Sequence, residues 1–376
     1  MSKIYLPHAA QFDEMNENLS KIANALSSDI DISTWAGIQK AVRIGVAPDL
    51  IPVGTQLLVT HSVFGDMLYD VVAHNYYKSA YDENAHTMTL MCHDQIGVVQ
   101  FDSAEAFYYA ESELPAGTYN VTLNEEYSSW LPGTYQFTLT KSLPVGGQLC
   151  INGASNVPMT ERFVTSYASR SVTSASESAA ITIGKGGTSL GSFGIELNNI
   201  RRVPYGSNNY KESAVRQFLN SASELGKVWS PQTKFDRPPS WVNNLAGFVG
   251  GLDDEFFAVI GKVIVPCVAN DIYESPDSTV VKGTKYTVSD NFYLASQTEI
   301  FGTTSGTADG SVLFPYYKGA VNADRIKYRS GSATGWRSRS PFTVSPISVQ
   351  GVNADGSAAQ IIANDNLGCV PVCTIV

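Results

Sequence analysis

The sequence predicts an α+β protein, in which an N-terminal helix and a β-rich domain precede a second domain of helices and short strands. Apolar residues recur at helical spacing near the start of the chain. From about residue 34 the pattern changes to short alternating stretches bounded by Gly, Pro and Asn. The 376 residues include 31 glycines and 19 tyrosines, and only 16% are charged, a composition typical of turn-rich β structure.

Residues 1–30 are predicted to form an oligomerising or docking helix. Within 9–26 the apolar residues are spaced three and four apart, as on a heptad seam: Phe12, Met15, Leu19, Ile22 and Leu26. A seam this short does not hold a free coiled coil together. The same pattern suits an amphipathic helix packed on its own domain, and the sequence leaves both alternatives open.

Residues 31–150 are predicted to form a β-rich mounting domain, after a short helix in "TWAGIQKAVRIG". The near-repeat "LPAGTYNVTL" and "LPGTYQFTLT", at 114–123 and 131–140, predicts two similar hairpin edges in this domain. Residues 151–190 are rich in Ser, Thr and Gly and are predicted to connect two domains.

Residues 191–376 are predicted to form the second domain. Helices are expected within 210–222 and 240–261. Short strands are expected in "GKVIVPCVA", "NFYLASQTEIFG", "GSVLFPYY" and the final block of the chain. Two helices followed by many short strands favour an α+β arrangement.

Charge is distributed unevenly along the chain, whose net charge is −10. Residues 1–130 contain 5 basic and 17 acidic residues, whereas residues 311–350 contain six basic residues and one acid, Asp324. An acidic protein does not approach nucleic acid or an anionic membrane with its whole surface, so we expect no nucleic-acid partner. No apolar run is long enough to span a bilayer, so we expect no membrane insertion. The basic segment fits a polyanionic glycan or an acidic protein patch, and it equally fits pairing inside the fold.

Residue types suited to catalysis or metal binding are sparse. The densest group of metal-ligating types is His74, His86, Cys92, His93 and Asp94. Positions 86 and 93 differ in parity, so these two histidines would face opposite sides of a regular strand. The one G-x-S-x-G match contains Ser189, and every histidine precedes it, contrary to the usual order of a hydrolase triad. The sequence therefore predicts no enzyme, no metal and no other cofactor.

Five motifs in the second half resemble, in this order, a domain family common in gut bacteria and their phages. They are "YKESAVRQFLN", "FYLASQTEIFG", "GWRSRSP", "GVNADGS" and "GCVPVCTI". In that family they look like S-x-x-R-x-[WF]-L-N, FLLS-x-x-E, WWLRSP, V-N-x-D-G and GVRPA. Against those patterns Arg337 replaces the second aromatic residue, Ser338 replaces the leucine and Val370 replaces the arginine.

That family is similar to the C-type-lectin fold, which formylglycine-generating enzymes and the variable proteins of diversity-generating retroelements also use. The resemblance covers roughly residues 190–376 and implies a C-type-lectin-like ligand-binding domain at 191–376. The first half, with "LPAGTYNVTL" and "GGQLCINGA", is similar to N-terminal regions of phage virion proteins.

The resemblance also implies a ligand-binding face made by the last strands and their loops. Such a scaffold tolerates variable loops because its backbone order comes from the core. The residues expected on or beside this face are Tyr316, Tyr317, Arg325, Lys327, Tyr328, Arg329, Thr343, Val344, Ser345, Ser348, Gln350, Asn364, Asp365 and Asn366. In contrast, Trp336, Pro341, Val352, Gly356 and Pro371 are expected to be structural.

The function implied is that of a phage virion protein for host attachment, a receptor-binding protein or variable adhesin. The expected partners are a host cell-surface receptor, glycan or protein, and other virion proteins. The heptad seam suits a homotrimer, and the expected location is the virion, after synthesis in the host cytoplasm. One alternative is a capsid- or tail-decorating protein without a receptor of its own. Another is oxidative chemistry like formylglycine generation, which the separation of Cys369 and Cys373 along a strand disfavours.

Overall fold

The computed structural model describes residues 30–103 and 208–376, with gaps at 233–237, 270–283, 303–307 and 343–347. It also describes short stretches of the intervening chain, namely 106–110, 113, 115–123, 133–139, 142, 148–149, 162–165, 178–179, 193–194 and 200–204. The predicted helix at 9–26 lies outside these residues. The helices described are α1 (Trp35–Arg43), α2 (Ala47–Leu50), α3 (Ala214–Leu219), α4 (Asp254–Val259) and α5 (Gln297–Phe301), with 3₁₀ turns η1 (Val249–Gly251), η2 (Pro315–Tyr317) and η3 (Asn322–Arg325). None of these helices is long and apolar enough to cross a bilayer.

Most of the remaining described elements are strands, and the structure confirms a mixed α+β protein. The first twelve strands are β1 (Gln56–His61), β2 (Gly65–His74), β3 (Met88–Cys92), β4 (Gly97–Val99), β5 (Ala106–Ala110), β6 (Gly117–Leu123), β7 (Gly133–Leu139), β8 (Gln148–Leu149), β9 (Arg162–Thr165), β10 (Ser178–Ala179), β11 (Phe193–Gly194) and β12 (Ile200–Pro204). The others are β13 (Val263–Ala269), β14 (Thr284–Asp290), β15 (Phe292–Leu294), β16 (Lys327–Arg329), β17 (Ser332–Thr334), β18 (Trp336–Pro341), β19 (Ser348–Val352), β20 (Ala358–Ile362), β21 (Leu367–Cys369) and β22 (Pro371–Ile375).

Two five-stranded sheets combine strands from both ends of the described chain. The first has the order β1-β2-β3-β22-β15, and the second has the order β20-β19-β18-β21-β4. In the first sheet β3 pairs antiparallel with β22, with Met91 opposite Val372. In the second sheet β4 pairs antiparallel with β21. The predicted division into a 31–150 domain and a 191–376 domain does not describe this arrangement, because strands of the two segments share both sheets. We call residues 30–103 and 208–376 together the core unit.

Residues 104–207 are an insertion in the core unit. The first and last strands described within the insertion, β5 and β12, pair antiparallel with Ala106 opposite Pro204. Where the chain rejoins the core unit, the backbone N–H of Val215 donates to the carbonyl of Phe101 at 3.0 Å. The chain therefore leaves the core unit and returns to it at the same place.

Within the insertion the two copies of the near-repeat pair with each other. β6 and β7 run antiparallel, with Tyr119 opposite Phe137. The predicted connector at 151–190 contains β9 and β10, which lie in one sheet with β8, β5 and β12. Part of the predicted connector therefore belongs to a sheet rather than to a linker.

Apolar side chains from distant parts of the core unit meet in one aromatic cluster. The ring of Phe248 lies 5.2 Å from that of Phe292 and 6.1 Å from that of Phe218, measured between centroids. Every residue of β3, β18 and β22 is buried. β22 is an interior strand of its sheet, between β3 and β15, and all of its residues are buried, which accounts for its almost wholly apolar sequence "PVCTI".

Local signals explain two differences from the predicted strands. In "NFYLASQTEIFG" only Phe292–Leu294 is a strand; Ser296 and Glu299 then form a capping box that starts α5, and Gly302 ends it with a φ of 73°. "GSVLFPYY" contains no strand, because Pro315 opens the 3₁₀ turn η2.

Candidate functional site

An open pocket of about 490 Å³ lies beside two of the tyrosines that the sequence placed on the binding face. We call it the Tyr316–Tyr328 pocket. Its lining comes from the turn after β3, from the segment containing η2 and η3, and from β16. The lining residues are His93, Tyr316, Lys318, Gly319, Ala320, Ala323, Asp324, Ile326 and Tyr328.

A buried carboxylate holds one wall of the pocket. The Asp70 side chain, on β2, is only 3% exposed, whereas the His93 side chain is 41% exposed. The Nδ1 atom of His93 lies 2.8 Å and 3.1 Å from the two Asp70 carboxylate oxygens. Gln56 on β1 donates from Nε2 to Asp70 at 3.0 Å. These bonds fix the imidazole by one ring nitrogen at the edge of the pocket.

Asp70 also positions Tyr316. The Tyr316 hydroxyl donates to Asp70 Oδ2 at 3.3 Å, and the ring packs edge-on against Tyr317, with centroids 5.1 Å apart. Burial, followed by the nearby Asp70 charge, raises the pKa of Tyr316 to about 12. The hydroxyl is therefore a hydrogen-bond donor at neutral pH, and the ring is a rigid part of the wall.

Another part of the lining, Tyr328, is carried by β16, whose backbone is hydrogen-bonded to the turn after β3. The backbone N–H of Tyr328 donates to Asp94 Oδ1 at 2.9 Å, and its carbonyl accepts from the backbone N–H of Gln95 at 3.1 Å. Lys327 donates from Nζ to the carbonyls of Cys92 and His93, each at 2.7 Å. The Tyr328 side chain itself is 46% exposed. A solvent-facing aromatic side chain therefore stands on a fixed backbone.

The packing of η3, which contributes Ala323 and Asp324 to the pocket, depends on the terminal motifs. The indole of Trp336 is fully buried and donates from Nε1 to the carbonyl of Arg325, the last residue of η3, at 3.0 Å. Gly356, in the turn of "GVNADGS", has a φ of 80°, and a Cβ there would overlap the Asn322 carbonyl at the start of η3. Trp336 and Gly356 are therefore structural, as predicted.

Several predicted face residues lie in the interior, and for them the expected exposure is wrong. They are Tyr317, Arg325, Lys327, Ser348 and Gln350. Their polar atoms are taken up inside the fold: Arg325 Nε donates to Ile300 O at 3.0 Å, and Gln350 Nε2 donates to Pro341 O at 3.3 Å. For β19 the error arises because both faces of the strand are covered, so every residue is buried whichever face its side chain is on.

The remaining predicted residues do not form a single patch with the pocket. Arg329, half-buried, ends β16 one residue after Tyr328. Residues 364–366 form the turn between β20 and β21, and Gln100 donates from Nε2 to the carbonyl of Asn364. Asp365 and Asn366 are exposed in that turn. Tyr328 is bonded to Gln95, which precedes β4, whereas the turn is bonded to Gln100, which follows β4, so the two are attached at opposite ends of that strand. Thr343, Val344 and Ser345 lie outside the described residues.

The basic residues of the "GWRSRSP" motif serve the interior. Arg339 is buried and makes a two-pronged ion pair with Glu299 at 2.7 Å for each nitrogen–oxygen pair. Arg337 donates from Nη1 to the carbonyl of Ala363 at 2.9 Å. Burial lowers the pKa of Arg337 to about 10, so the side chain still carries its charge at neutral pH. Of the two alternatives for the basic segment, pairing inside the fold accounts for Arg325, Lys327, Arg337 and Arg339.

Three of the lining residues, His93, Lys318 and Asp324, are not among those that the sequence places on the face. Neither is Asp70, which does not line the pocket but forms hydrogen bonds with His93 and Tyr316. His93 was considered only as a metal ligand. No group of three metal-ligating side chains comes together in the part of the chain that the structure describes. The contact of Asp70 with His93 depends on the pairing of β2 with β3, which local sequence does not specify.

The chemistry available in the pocket is hydrogen bonding and stacking. The Lys318 ammonium, the Tyr328 hydroxyl, the Asp324 carboxylate and the His93 imidazole offer both donors and acceptors. The nearby Cys92 is buried, which raises the pKa of its thiol to about 12. Cys369 and Cys373 are on different strands and are also buried, so thiolate chemistry is not favoured at these positions.

The five motifs that carry the family resemblance account for much of the core. In the first motif Ser213 caps α3, and Arg216 pairs with Asp290 at 2.7 Å and 2.8 Å. Asn220 of the same motif accepts from the backbone N–H groups of Asn291 and Phe292, each at 3.1 Å. The motifs are therefore explained by packing and hydrogen bonding. The pocket residues lie outside them, with His93 before the first motif and the others between the second and the third.

A family model described as a domain of unknown function, DUF6273, matches residues 164–376, which is more than half of the chain. No curated protein and no solved structure matches. The chain therefore belongs to the DUF6273 family.

Proposed function

We propose that this chain is a phage virion protein that attaches the particle to its host cell through the Tyr316–Tyr328 pocket. The observation that carries the proposal is the pocket itself, an open concave site with an exposed tyrosine on a fixed backbone. Tyrosine provides a large contact area and loses little conformational entropy when it binds, as in antibody binding sites. A rigid core with ligand-contacting turns is the arrangement that recognition proteins use.

We also propose that the core unit has the C-type-lectin fold. The support is the mixed α+β architecture and the interior roles of the five motifs, from the Ser213 cap to the Glu299–Arg339 ion pair. The proposed binding face is smaller than the one the sequence predicts. It consists of Tyr316 and Tyr328, together with His93, Lys318 and Asp324 around them.

A pocket of this size and openness gives weak binding at a single site, so attachment requires many copies. Several copies on one particle would multiply a weak affinity through high effective concentration. The heptad seam at 12–26 supports a homotrimer as the repeating unit. This part of the proposal rests on sequence alone, because residues 12–26 lie outside those that the structure describes.

Replacement of Tyr328 tests the proposal. Purified, fluorescently labelled protein is mixed with a panel of gut bacterial strains, and bound protein is measured by flow cytometry. We expect the wild-type protein to label a subset of strains and Tyr328→Ala to reduce that labelling about tenfold, because a binding hot spot is typically an aromatic side chain worth more than 1 kcal/mol. Tyr81→Ala is the matched control, since Tyr81 is 80% exposed and lies outside the pocket.

Two outcomes would contradict the proposal. One is labelling of no strain by the wild-type protein. The other is equal labelling by the wild-type protein and Tyr328→Ala, when both have the same unfolding temperature. Imaging of particles with the pocket covered by a neighbouring subunit would favour the alternative of a decorating protein.

A further inference from the structure

The pocket has polar atoms with unused bonding capacity. His93 contacts Asp70 through Nδ1, and no group in the described part of the chain bonds its Nε2 atom. Asp324 accepts from the backbone N–H of Val321 at 2.8 Å through Oδ2, which leaves Oδ1 as an acceptor. Lys318 has no ion-pair partner among the residues described. A ligand can therefore meet an ammonium donor, a carboxylate acceptor and an imidazole nitrogen within one site.

The charges of these groups are nearly balanced. Lys318 contributes one positive charge to the lining and Asp324 contributes one negative charge. The Asp70 carboxylate is occupied by Gln56, His93 and Tyr316, so it is not available to a cation in the pocket. A ligand with a strong net charge of either sign would be attracted by one of the two lining charges and repelled by the other. The electrostatics favour a neutral ligand with many hydroxyl groups.

The tyrosines add an apolar surface to this polar set. Tyr316 is held by its bond to Asp70 and by its contact with Tyr317, and Tyr328 has an exposed ring. A sugar ring has a face of C–H groups that can lie on an aromatic ring, and hydroxyl groups at its rim that exchange hydrogen bonds with polar neighbours. A cavity of about 490 Å³ is within the range of small-molecule sites.

We propose that the Tyr316–Tyr328 pocket binds a neutral sugar ring, with Tyr328 against its C–H face and with Asp324, Lys318 and His93 bonded to its hydroxyl groups. The inference rests on the proposed attachment function and names the chemical class of the receptor, a neutral glycan. Asp70 is a positioning residue, because it acts by holding His93 and Tyr316. Binding by a single copy is weak, because the contacts in a small, open site leave little free energy beyond the cost of association.

The test is titration of the full-length protein with free sugars, followed by ligand-observed NMR. The probes are the methyl glycosides of glucose, galactose and mannose, N-acetylglucosamine and N-acetylgalactosamine, with galacturonate as the charged comparison. We expect at least one neutral sugar to bind and to be displaced by excess of itself, and galacturonate to bind at least fivefold more weakly. Tyr328→Ala and Asp324→Asn are each expected to weaken binding fivefold or more, and Tyr81→Ala to leave it unchanged.

Results that overturn the inference differ from those that overturn attachment. If Tyr328-dependent cell labelling is seen while no neutral sugar binds, the receptor is not a neutral glycan, and the attachment function stands. Preferential binding of galacturonate would identify Lys318 as the dominant contact and would also overturn the inference. If neither cells nor sugars bind, the proposed function fails as well. Because Asp324 also caps η3, Asp324→Asn is interpreted only if its unfolding temperature matches that of the wild-type protein.

Discussion

Glu299 and Arg339 form an ion pair that is enclosed by the core unit, with side chains 0% and 1% exposed. Glu299 also accepts from the backbone N–H of Ser296 at 2.8 Å, which is half of the capping box at the start of α5. The same carboxylate therefore binds Arg339 and caps the helix. Arg339 reaches further, to Ser311 at 3.0 Å and to Asp309 at 3.3 Å. The two motifs "FYLASQTEIFG" and "GWRSRSP", which are separate in sequence, therefore each contribute one residue to the same buried ion pair.

Removal of one charge from this pair is expected to be strongly destabilising. Glu299→Gln replaces the carboxylate at both 2.7 Å contacts of the buried Arg339 guanidinium by a neutral amide and leaves Asp309, at 3.3 Å, as its carboxylate partner. Breaking a buried pair typically costs about 3–5 kcal/mol. The measurement is the free energy of unfolding in urea. Glu83→Gln is the control, because the Lys78–Glu83 pair is mostly exposed and such pairs contribute about 0–1 kcal/mol. A loss below about 1 kcal/mol for Glu299→Gln would show that the buried pair does not stabilise the core unit.

At the scale of elements, two histidines connect strands to the loops that cover them. His61, in β1, has Nε2 2.8 Å from the carbonyl of Phe248, and its Nδ1 accepts from the backbone N–H groups of Val63 and Phe64 at 3.0 Å and 3.2 Å. His74, at the end of β2, lies 3.0 Å from the carbonyl of Ile51. Burial lowers the pKa of both histidines below the ordinary value of 6.5. Each ring is therefore neutral in the folded protein at neutral pH.

Stability is expected to fall as the pH drops below about 6.5. Below that value His61 and His74 bind protons in the unfolded chain, whereas their lowered pKa values keep them neutral in the folded protein. Proton binding therefore favours the unfolded state. Above it neither state binds these protons, and the histidines make no pH-dependent contribution. The urea midpoint should therefore decrease between pH 7.5 and pH 5.5.

His61→Gln separates this effect from that of other groups. The variant lacks one of the two titrations, so its midpoint should change less between the two pH values than that of the wild-type protein. An equal change in the two proteins would show that His61 is not responsible.

The elements differ in how far local sequence predicts them. α1 and α4 are predicted, because their apolar spacing and polar caps agree with the fold. α5 is not predicted, because the apolar residues on both sides of Ser296 resemble one continuous strand. The capping box that starts the helix is a side-chain contact, and a pattern of alternating apolar residues does not show it. β18 lies in the final block, where short strands are predicted, but its polar sequence "WRSRSP" does not indicate that every residue is buried. The burial is possible because the polar side chains have hydrogen-bond partners inside the fold.

Prediction of the site from the sequence is limited by contacts between residues that are distant along the chain. Tyr316 and Tyr328 were expected on the binding face from their position near the terminal motifs, and they do line the pocket. Asp70 and His93 reach it only through the pairing of β2 with β3 and of β3 with β22. Pairing partners this far apart in sequence are not visible in local periodicity.

At the scale of the whole molecule, the structural unit and the matched family segment have different bounds. The family model begins at residue 164, inside the insertion, and excludes β1 to β4. Without those strands β22 and β21 would each lose a partner in their sheets. The core unit of this chain is therefore made of two segments, and the matched segment alone is incomplete.

Two shortened proteins are expected to behave in opposite ways. Replacement of 104–207 by a short Gly-Ser linker should leave a protein with a single cooperative urea transition and near-ultraviolet circular dichroism like that of a packed core, because the chain leaves and rejoins the core unit at one place. The fragment 164–376 should lack both signals. A cooperative transition for the fragment, or its loss in the linker variant, would show that the two-segment core unit is incorrect.

The pairing of β3 with β22 has a consequence for how a chain with such an insertion arises. Thr89 and Thr374 meet across these strands although they are 285 residues apart. The entropy lost in closing a loop grows only with the logarithm of its length, so the 104 residues of the insertion add about 0.4 kcal/mol to that closure. Natural variation can therefore lengthen, shorten or exchange the insertion with almost no loss of folding free energy. We expect related chains to differ most in length between the positions of Ser103 and Asn208.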